Sequence, residues 1–172
     1  AKVGFLFQSN ALYDSMTVRE NLEFPLRRHW IQVSAQETNH KVMEVLSNVG
    51  LAHTVDMMPA ELSGGMRKRI ALARTLILDP EIMLYDEPTT GLDPQARRAV
   101  WELVAQLRAA GMAVVLTTHY MDEAERLSDR LVLLQGGKVR ATGTTRELLG
   151  DLVGEHVVIV STGSAEAPTV EA

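Results

Sequence analysis

Two adjacent carboxylates, Asp86 and Glu87, follow an apolar run at residues 82–85 that is typical of a buried strand. Because side chains alternate along a strand, neighbouring carboxylates at its end point in different directions. One carboxylate can serve Mg²⁺ and its water ligands while the other faces an attacking water molecule. This division suits hydrolysis of a phosphoanhydride, in which positioning and charge neutralisation supply most of the catalysis. The alternative is a helix-capping pair at a junction between a strand and a loop.

A second candidate site is the glycine turn, residues 62–66 (LSGGM), in which Ser63 is placed to begin a helix. Backbone N–H groups at a helix N-terminus point outward, and the helix dipole favours an anion there. Gly64 and Gly65 would let a phosphate group approach the backbone closely. A helix that is merely capped by Ser63 is the alternative. We interpret the basic run that follows, residues 67–69, as a solvated helix face rather than a direct phosphate contact.

Three further polar residues are candidate site residues. Gln8 follows the first apolar run, Asp93 lies in the loop after the carboxylate pair, and His119 ends a later apolar run. An imidazole can donate a hydrogen bond to a phosphate oxygen while a neighbour orients its other nitrogen. The sequence has no H-E-x-x-H motif or other spacing typical of metal ligands.

The elements that must position these residues can be read from periodicity and from helix start and stop signals. Residues 3–7 predict a buried strand, and Thr17 is expected to cap the helix that follows it. A second helix is expected over residues 35–49. A third should run from Ser63 to about Leu78, where Asp79 and Pro80 stop it.

After Pro80 the pattern changes to alternating strands and helices, which predicts an α/β fold with a parallel sheet. Gly136 and Gly137 predict a hairpin turn between two of the strands. The helical stretch before Pro80 would then be an insertion into this sheet. The strands are expected at residues 82–85, 112–116, 130–134, 139–141 and 157–160, and the helices at residues 95–109, 121–127 and 145–149.

Composition restricts the classes of protein that this chain can belong to. It has 172 residues, of which 46% are hydrophobic, so one domain with a packed core is expected. The formal net charge of −5 argues against a nucleic-acid binder, because such proteins usually carry a strong basic excess. The absence of cysteine excludes a disulfide scaffold, a Cys-ligated zinc site and a thiol nucleophile. No apolar run approaches the roughly 18–20 residues that span a bilayer.

Together these motifs resemble the ATP-hydrolysing subunit of an ABC transporter. The resemblance covers residues 3 to about 149. It rests on the glycine turn with the RIALAR run after it, on residues 84–94 (LYDEPTTGLDP) and on residues 116–119 (LTTH). It implies a P-loop NTPase-like α/β fold with an inserted helical subdomain, and ATP and Mg²⁺ as cofactors. It also implies a transmembrane permease subunit and a second ATPase subunit, in a head-to-tail dimer, as partners. The expected location is the cytoplasmic face of the cell membrane, without a nucleic-acid partner.

The resemblance assigns a role to each candidate residue. Asp86 would support Mg²⁺, and Glu87 would be the general base. Gln8 would reach both Mg²⁺ and the attacking water. His119 would contact the γ-phosphate, and Asp93 would signal between the two ATP sites of the dimer. The γ-phosphate held by the partner subunit would be bound by Ser63, Gly64 and Gly65.

The resemblance also divides the chain into four parts. Residues 1–14 would hold the end of a core strand and the glutamine loop, and residues 15–79 the helical subdomain that ends in the signature helix. Residues 80–161 would form the C-terminal part of the ATPase core. Residues 162–172, rich in Gly, Ser, Ala, Glu and Pro, are expected to be a disordered tail.

One expected motif does not occur in this sequence, namely a G-x-x-x-x-G-K-[ST] phosphate loop. Lys138 follows a glycine pair, but it precedes a strand rather than a helix. We therefore expect the chain to lack the N-terminal part of the core, and to bind ATP weakly on its own, because that loop makes most phosphate contacts. A strand from the middle of the sheet would be lost with it, which would leave apolar strand edges and faces uncovered.

Two alternatives and the cargo remain open at this point. The chain could be a non-transport ABC ATPase, or a module without a phosphate loop that lends its glycine turn to a partner ATPase. Residues 1–94 look most like ATPases of lipid-asymmetry phospholipid importers. Residues 95–160 look more like ATPases of drug, polysaccharide or nodulation-factor exporters. The sequence thus indicates a lipid-like or drug-like substrate without choosing between import and export.

Overall fold

The computed structural model describes residues 2–7, 11–28, 34–151 and 157–161. Its helices are α1 (Val18–Arg28), α2 (Ala35–Asn48), α3 (Gly64–Leu76), α4 (Pro94–Ala109), α5 (Met121–Leu127) and α6 (Thr145–Asp151). Its strands are β1 (Val3–Leu6), β2 (Ile82–Asp86), β3 (Ala113–Thr118), β4 (Arg130–Gln135), β5 (Lys138–Gly143) and β6 (Val157–Ser161). The tail predicted at residues 162–172 lies outside the described residues.

The six strands form one mixed sheet in the order β1-β2-β3-β6-β4-β5. The first three strands are parallel, as the sequence predicted, whereas β6 runs antiparallel to both β3 and β4. A tight turn at Gly136 and Gly137, both with positive φ, joins β4 to β5 in the predicted hairpin. Two residues can reverse a chain but cannot return it to the same direction, so this pair has to be antiparallel.

The helical block follows the local signals of the sequence closely. The Thr17 hydroxyl accepts a hydrogen bond from the Glu20 N–H at 3.2 Å, and the Glu20 carboxylate accepts one from the Thr17 N–H at 2.8 Å. This reciprocal box begins α1. The predicted apolar face of α2 is buried, and α3 ends two residues before the predicted Leu78. No helix of the described part of the chain is both long enough and apolar enough to cross a bilayer.

The parallel strands bury one face of the sheet more deeply than the other. Leu6, Met83 and Leu116 are at most 2% exposed and lie on the face that α3, α4 and α5 cover. On the opposite face of the edge strand β1, Val3 and Phe5 are 57% and 43% exposed. Apolar side chains of β1 therefore reach solvent. The C-terminal ends of β2 and β3 lie side by side at one edge of this sheet.

Tyr85, on the buried face of β2, provides a test of this packing. Its side chain is 2% exposed, its hydroxyl has no hydrogen-bond partner among the described residues, and burial raises its pKa far above the usual value. Because an unsatisfied buried hydroxyl is costly, Tyr85→Phe should raise the free energy of unfolding by about 1 kcal/mol or more in urea denaturation. Tyr13→Phe, at a 43% exposed position, is the matched control and should change little. A lower stability of Tyr85→Phe would contradict this account.

Candidate functional site

The carboxylate pair lies where β2 ends beside β3. Asp86 is opposite Thr117 in the register of the two strands. The Thr117 hydroxyl donates to Asp86 Oδ1 at 2.8 Å and accepts from the Glu87 N–H at 3.1 Å. One side chain of β3 therefore orients the Asp86 carboxylate and also fixes the backbone that leads into Glu87.

Glu87 has a left-handed backbone conformation, with φ of +46°. For a residue with a side chain this costs roughly 1–2 kcal/mol, so surrounding contacts must hold it. The Glu87 N–H donates to the Thr117 carbonyl at 3.1 Å as well as to the hydroxyl, and the Glu87 carbonyl accepts from the Thr90 N–H at 3.3 Å. The strand therefore ends at Asp86, and a tight turn over residues 87–90 sets the direction of the Glu87 side chain.

Both carboxylate oxygens of Glu87 have polar neighbours. Oε2 accepts from the Thr90 hydroxyl at 3.0 Å, and Oε1 lies 3.5 Å from Nδ1 of His119. The Glu87 side chain is 31% exposed and that of His119 is 42% exposed. The carboxylate is thus held in place but still accessible to a water molecule, which is what a general base requires.

His119 follows β3 directly, so it reaches the same sheet edge as Glu87. Its ring lies 4.2 Å from that of Tyr120, centroid to centroid, and the Arg97 guanidinium lies 4.2 Å from the Tyr120 centroid. The Tyr120 N–H donates to the Thr118 hydroxyl at 3.0 Å. This stack fixes the turn after β3, and the His119 side chain remains 42% exposed.

The glycine turn begins α3 as predicted. The Ser63 hydroxyl accepts from the Met66 N–H at 3.2 Å, and Ser63 and Gly64 are exposed. A Cβ atom added to Gly64 would meet nothing within 4 Å, whereas one added to Gly65 would lie 2.8 Å from Cβ of Ala96. The two glycines therefore differ in their structural roles. Gly64 leaves the helix end open, and Gly65 allows α3 to pack closely against α4.

Asp93 caps the N-terminus of α4, the helix that Gly65 contacts. Its carboxylate accepts from the backbone N–H groups of Ala96 and Gln95, each at 2.9 Å. These hydrogen bonds, that from Ala96 above all, favour the charged form and hold the Asp93 pKa below its usual value. The N-termini of α3 and α4 are thus adjacent, and at each of them backbone N–H groups donate to a side-chain oxygen.

The Asp93 cap has a consequence for acid stability. A carboxyl whose folded-state pKa is depressed adds stability above its unfolded-state pKa of 3.8, and this is lost as the pH falls through the folded-state value. Asp93→Asn keeps a capping oxygen but cannot titrate. We therefore expect its stability to decline less steeply than that of the wild type between about pH 5 and about pH 2. The measurement is the free energy of unfolding from urea denaturation at a series of pH values. An equal fall of this free energy with pH in the variant and the wild type would refute the account.

The interpretation of residues 67–69 as a solvated face is wrong. Lys68 is only 2% exposed, and its ammonium donates to the Glu87 carbonyl at 3.3 Å. Arg67 and Arg69 donate to the backbone carbonyls of Leu62 and Val49, at 2.7 Å and 3.0 Å. The reason is that α3 packs between the sheet and the helices α1 and α2, so little of its surface faces solvent.

The predicted site residues fall into two neighbouring groups. Asp86, Glu87 and His119 converge at the sheet edge, and the glycine turn lies beside Asp93. Gln8 lies outside the described residues, so its predicted role stays a prediction. Sequence reasoning missed three contributors. Thr90 and Thr117 have hydroxyls that orient the carboxylates, and a threonine in a turn or strand gives no sign of such a role in the sequence. Lys68 supplies a buried ammonium.

The chemistry of this edge fits Mg²⁺ carried with a nucleotide. Magnesium is commonly held by one or two protein carboxylates, with phosphate oxygens and waters completing its shell. Asp86 offers such a carboxylate, with one oxygen already oriented by Thr117. Within the described ranges, no group of three or more His, Cys, Asp or Glu side chains could hold a metal ion by itself.

Comparisons with known proteins point the same way as this geometry. Residues 1–90 match the family described as "ABC transporter". The chain is 40% identical over 166 residues to Nod factor export ATP-binding protein I of Neorhizobium galegae, covering 96% of this chain and 47% of that protein. It is 42% identical over 157 residues to the protein of the same name from Burkholderia orbicola, covering 91% and 51%. The chain spans about half the length of these relatives.

A solved structure shares the fold. It is the ATP-binding cassette MJ0796 as a dimer, in a post-hydrolysis state bound to ADP and Pi. The TM-score is 0.76 at 32% sequence identity, and the match covers 84% of this chain and 63% of that chain. The mixed α/β arrangement described above is therefore that of a nucleotide-binding protein of known structure.

Proposed function

Because this chain belongs to the ABC transporter family of ATP-binding domains, we propose that it forms part of a subunit that hydrolyses ATP to drive transport across a membrane. The observation that carries the proposal is the position of the Glu87 carboxylate. It is held by Thr90 and lies 3.5 Å from His119, and it remains accessible to water beside Asp86. A carboxylate so placed suits the activation of water for attack on a phosphoanhydride.

In this proposal the residues at the sheet edge have separate tasks. Glu87 takes the proton of the attacking water, and His119 donates from Nε2 to an oxygen of the γ-phosphate. Mg²⁺ supplies charge neutralisation at the phosphates when it is bound, and Asp86 and Gln8 would hold it. Thr90 and Thr117 keep the two carboxylates in position. Asp86 and Glu87 thus divide metal binding and proton transfer between them.

The glycine turn serves a second subunit in this proposal. The exposed N-terminus of α3 at Ser63 and Gly64 presents N–H groups that suit a phosphate of a nucleotide held by that subunit. The two subunits would associate head to tail, with Asp93 close to the shared interface. The dimeric state of the solved relative supports the association of two subunits.

The wider assembly follows from the relatives. We place the subunit on the cytoplasmic face of the membrane, bound to a transmembrane permease. The names of the two relatives favour export over import, and the two alignments cover 96% and 91% of this chain. We keep a lipid-like or drug-like molecule as the substrate class. Because these 172 residues contain no phosphate-loop sequence, we expect them to bind ATP weakly when they are expressed alone.

The test is ATP hydrolysis by the complete gene product that carries this sequence. Phosphate release should require Mg²⁺, and it should change when the protein is reconstituted in vesicles with its permease. In the same vesicles, ATP should drive movement of the transported substrate. The absence of ATP hydrolysis, with and without the permease, would contradict the proposal. Hydrolysis that no permease affects would favour a non-transport ATPase.

A further inference from the structure

The buried ammonium of Lys68 is placed at a point of backbone strain. It lies on α3, one turn after Gly65, and reaches the carbonyl of Glu87 at 3.3 Å. That carbonyl also accepts the Thr90 N–H at 3.3 Å, which closes the turn over residues 87–90. The same turn brings the Thr90 hydroxyl within hydrogen-bond distance of the Glu87 carboxylate. A single carbonyl therefore connects Lys68, the turn and the carboxylate.

The left-handed conformation of Glu87 needs support on both sides of its α-carbon. On the N-terminal side, Thr117 holds the Glu87 N–H through its carbonyl and its hydroxyl. On the C-terminal side, Lys68 and Thr90 hold the Glu87 carbonyl. Conformations of this kind persist only where surrounding contacts over-determine them, and they cluster at functional sites.

We propose that Lys68 is a positioning residue for ATP hydrolysis, which fixes the backbone of Glu87 and thereby the direction of its carboxylate. The inference rests on the proposed function, since it assigns Glu87 the role of general base. It goes beyond that function by linking α3, which carries the glycine turn, to the catalytic carboxylate within one subunit. In this proposal Lys68 acts through Glu87, whose carbonyl it contacts.

The surroundings of Lys68 explain how a charged group can be retained there. Burial lowers its pKa, while Asp86, Glu123 and Glu87, in decreasing order, favour the charged form. Glu123 is fully buried; its Oε1 accepts from Trp101 Nε1 at 2.8 Å, and its Oε2 has no hydrogen-bond partner within the described part of the chain. Removing the Lys68 charge would leave the buried Glu123 carboxylate without compensation, which lowers the free energy of unfolding.

The experiment compares two replacements of Lys68 in the complete gene product. Lys68→Met keeps the aliphatic stem and removes the donor, whereas Lys68→Gln removes the charge and keeps an N–H donor. We expect kcat for ATP hydrolysis to fall by about tenfold or more in Lys68→Met, with KM for ATP changed less than about twofold, and to recover at least partly in Lys68→Gln. Lys138→Met, at the exposed lysine that begins β5, should match the wild type.

Two outcomes would overturn the proposal. A kcat of Lys68→Met within about twofold of the wild type would show that the hydrogen bond is not needed. An equal loss in Lys68→Met and Lys68→Gln would show that charge, and not the donor, is what matters. If Lys68→Met fails to fold, the same comparison is made in a Glu123→Gln background, which removes the opposing buried charge. If the wild type itself hydrolyses no ATP, the proposed function fails, and the next measurement decides the positioning claim.

That measurement is amide hydrogen exchange over residues 89–92, which needs no activity. Loss of the Lys68 donor should raise the exchange rate of the Thr90 amide, whose partner is the Glu87 carbonyl, by about tenfold. Amides of α2, remote from the turn, should exchange as in the wild type and serve as the internal reference. An unchanged Thr90 amide would overturn the proposal independently of ATP hydrolysis.

Discussion

Replacing Glu87 with glutamine should lower ATP hydrolysis by about 100-fold or more while ATP binding is retained. Glutamine keeps the size of the side chain and an oxygen that can accept from the Thr90 hydroxyl, so the turn over residues 87–90 should persist. What it removes is the ability to accept a proton from water. The loss should therefore appear in kcat and leave the Kd for ATP nearly unchanged, as measured by phosphate release and by nucleotide titration of the complete gene product.

The matched control is Glu102→Gln, which makes the same chemical change on the exposed side of α4. Its kcat should equal that of the wild type. Hydrolysis by Glu87→Gln within about tenfold of the wild type would rule out Glu87 as the general base. A loss of ATP binding together with hydrolysis would instead mean that the Glu87 charge serves the nucleotide or its metal ion.

Replacing Gly65 with alanine should have the second largest effect, because the new methyl group would lie 2.8 Å from Cβ of Ala96. Each Cβ atom is bonded directly to its helix backbone and cannot move by a side-chain rotation, so α3 and α4 must separate. Overpacking of this kind typically lowers the free energy of unfolding by about 1–3 kcal/mol. The measurement is urea denaturation, followed by phosphate release from the variant at a temperature at which it is folded.

Gly64→Ala is the matched control, since the same change one residue earlier meets nothing within 4 Å. Its stability should equal or slightly exceed that of the wild type, because alanine favours helix over glycine. Both variants should hydrolyse ATP more slowly, Gly64→Ala because its methyl group stands where we expect a phosphate to approach. Equal stabilities of Gly65→Ala and Gly64→Ala would show that the contact with Ala96 is not a tight one.

Features that depend on neighbours in the chain could be predicted from the sequence. Thr17 and Glu20 form the expected capping box because both partners lie within one helical turn. Gly136 and Gly137 form the expected hairpin because positive φ is a local requirement that glycine meets. The carboxylate pair was placed at the end of β2 because an apolar run predicts where a buried strand stops.

Features that depend on contacts distant in the chain could not be predicted. The burial of Lys68 is set by the sheet and by α1 and α2, which surround α3, whereas a basic tripeptide in a helix normally faces solvent. The position of β6 between β3 and β4 follows from pairings more than 20 residues apart along the chain. The hydroxyl of Thr117 reaches residues 31 and 30 positions away, Asp86 and Glu87, with nothing in the strand pattern to mark it.

The side chain at position 117 must therefore meet two demands, which come from different parts of the molecule. The sheet favours a β-branched side chain there, because such side chains pack well on a pleated surface. The carboxylate pair requires a hydroxyl that donates to Asp86 and accepts from the Glu87 N–H. Valine and isoleucine would meet the first demand and serine the second. Threonine alone among the standard amino acids has both a branched Cβ atom and a hydroxyl. It is therefore the only standard amino acid that fully satisfies both requirements at this position.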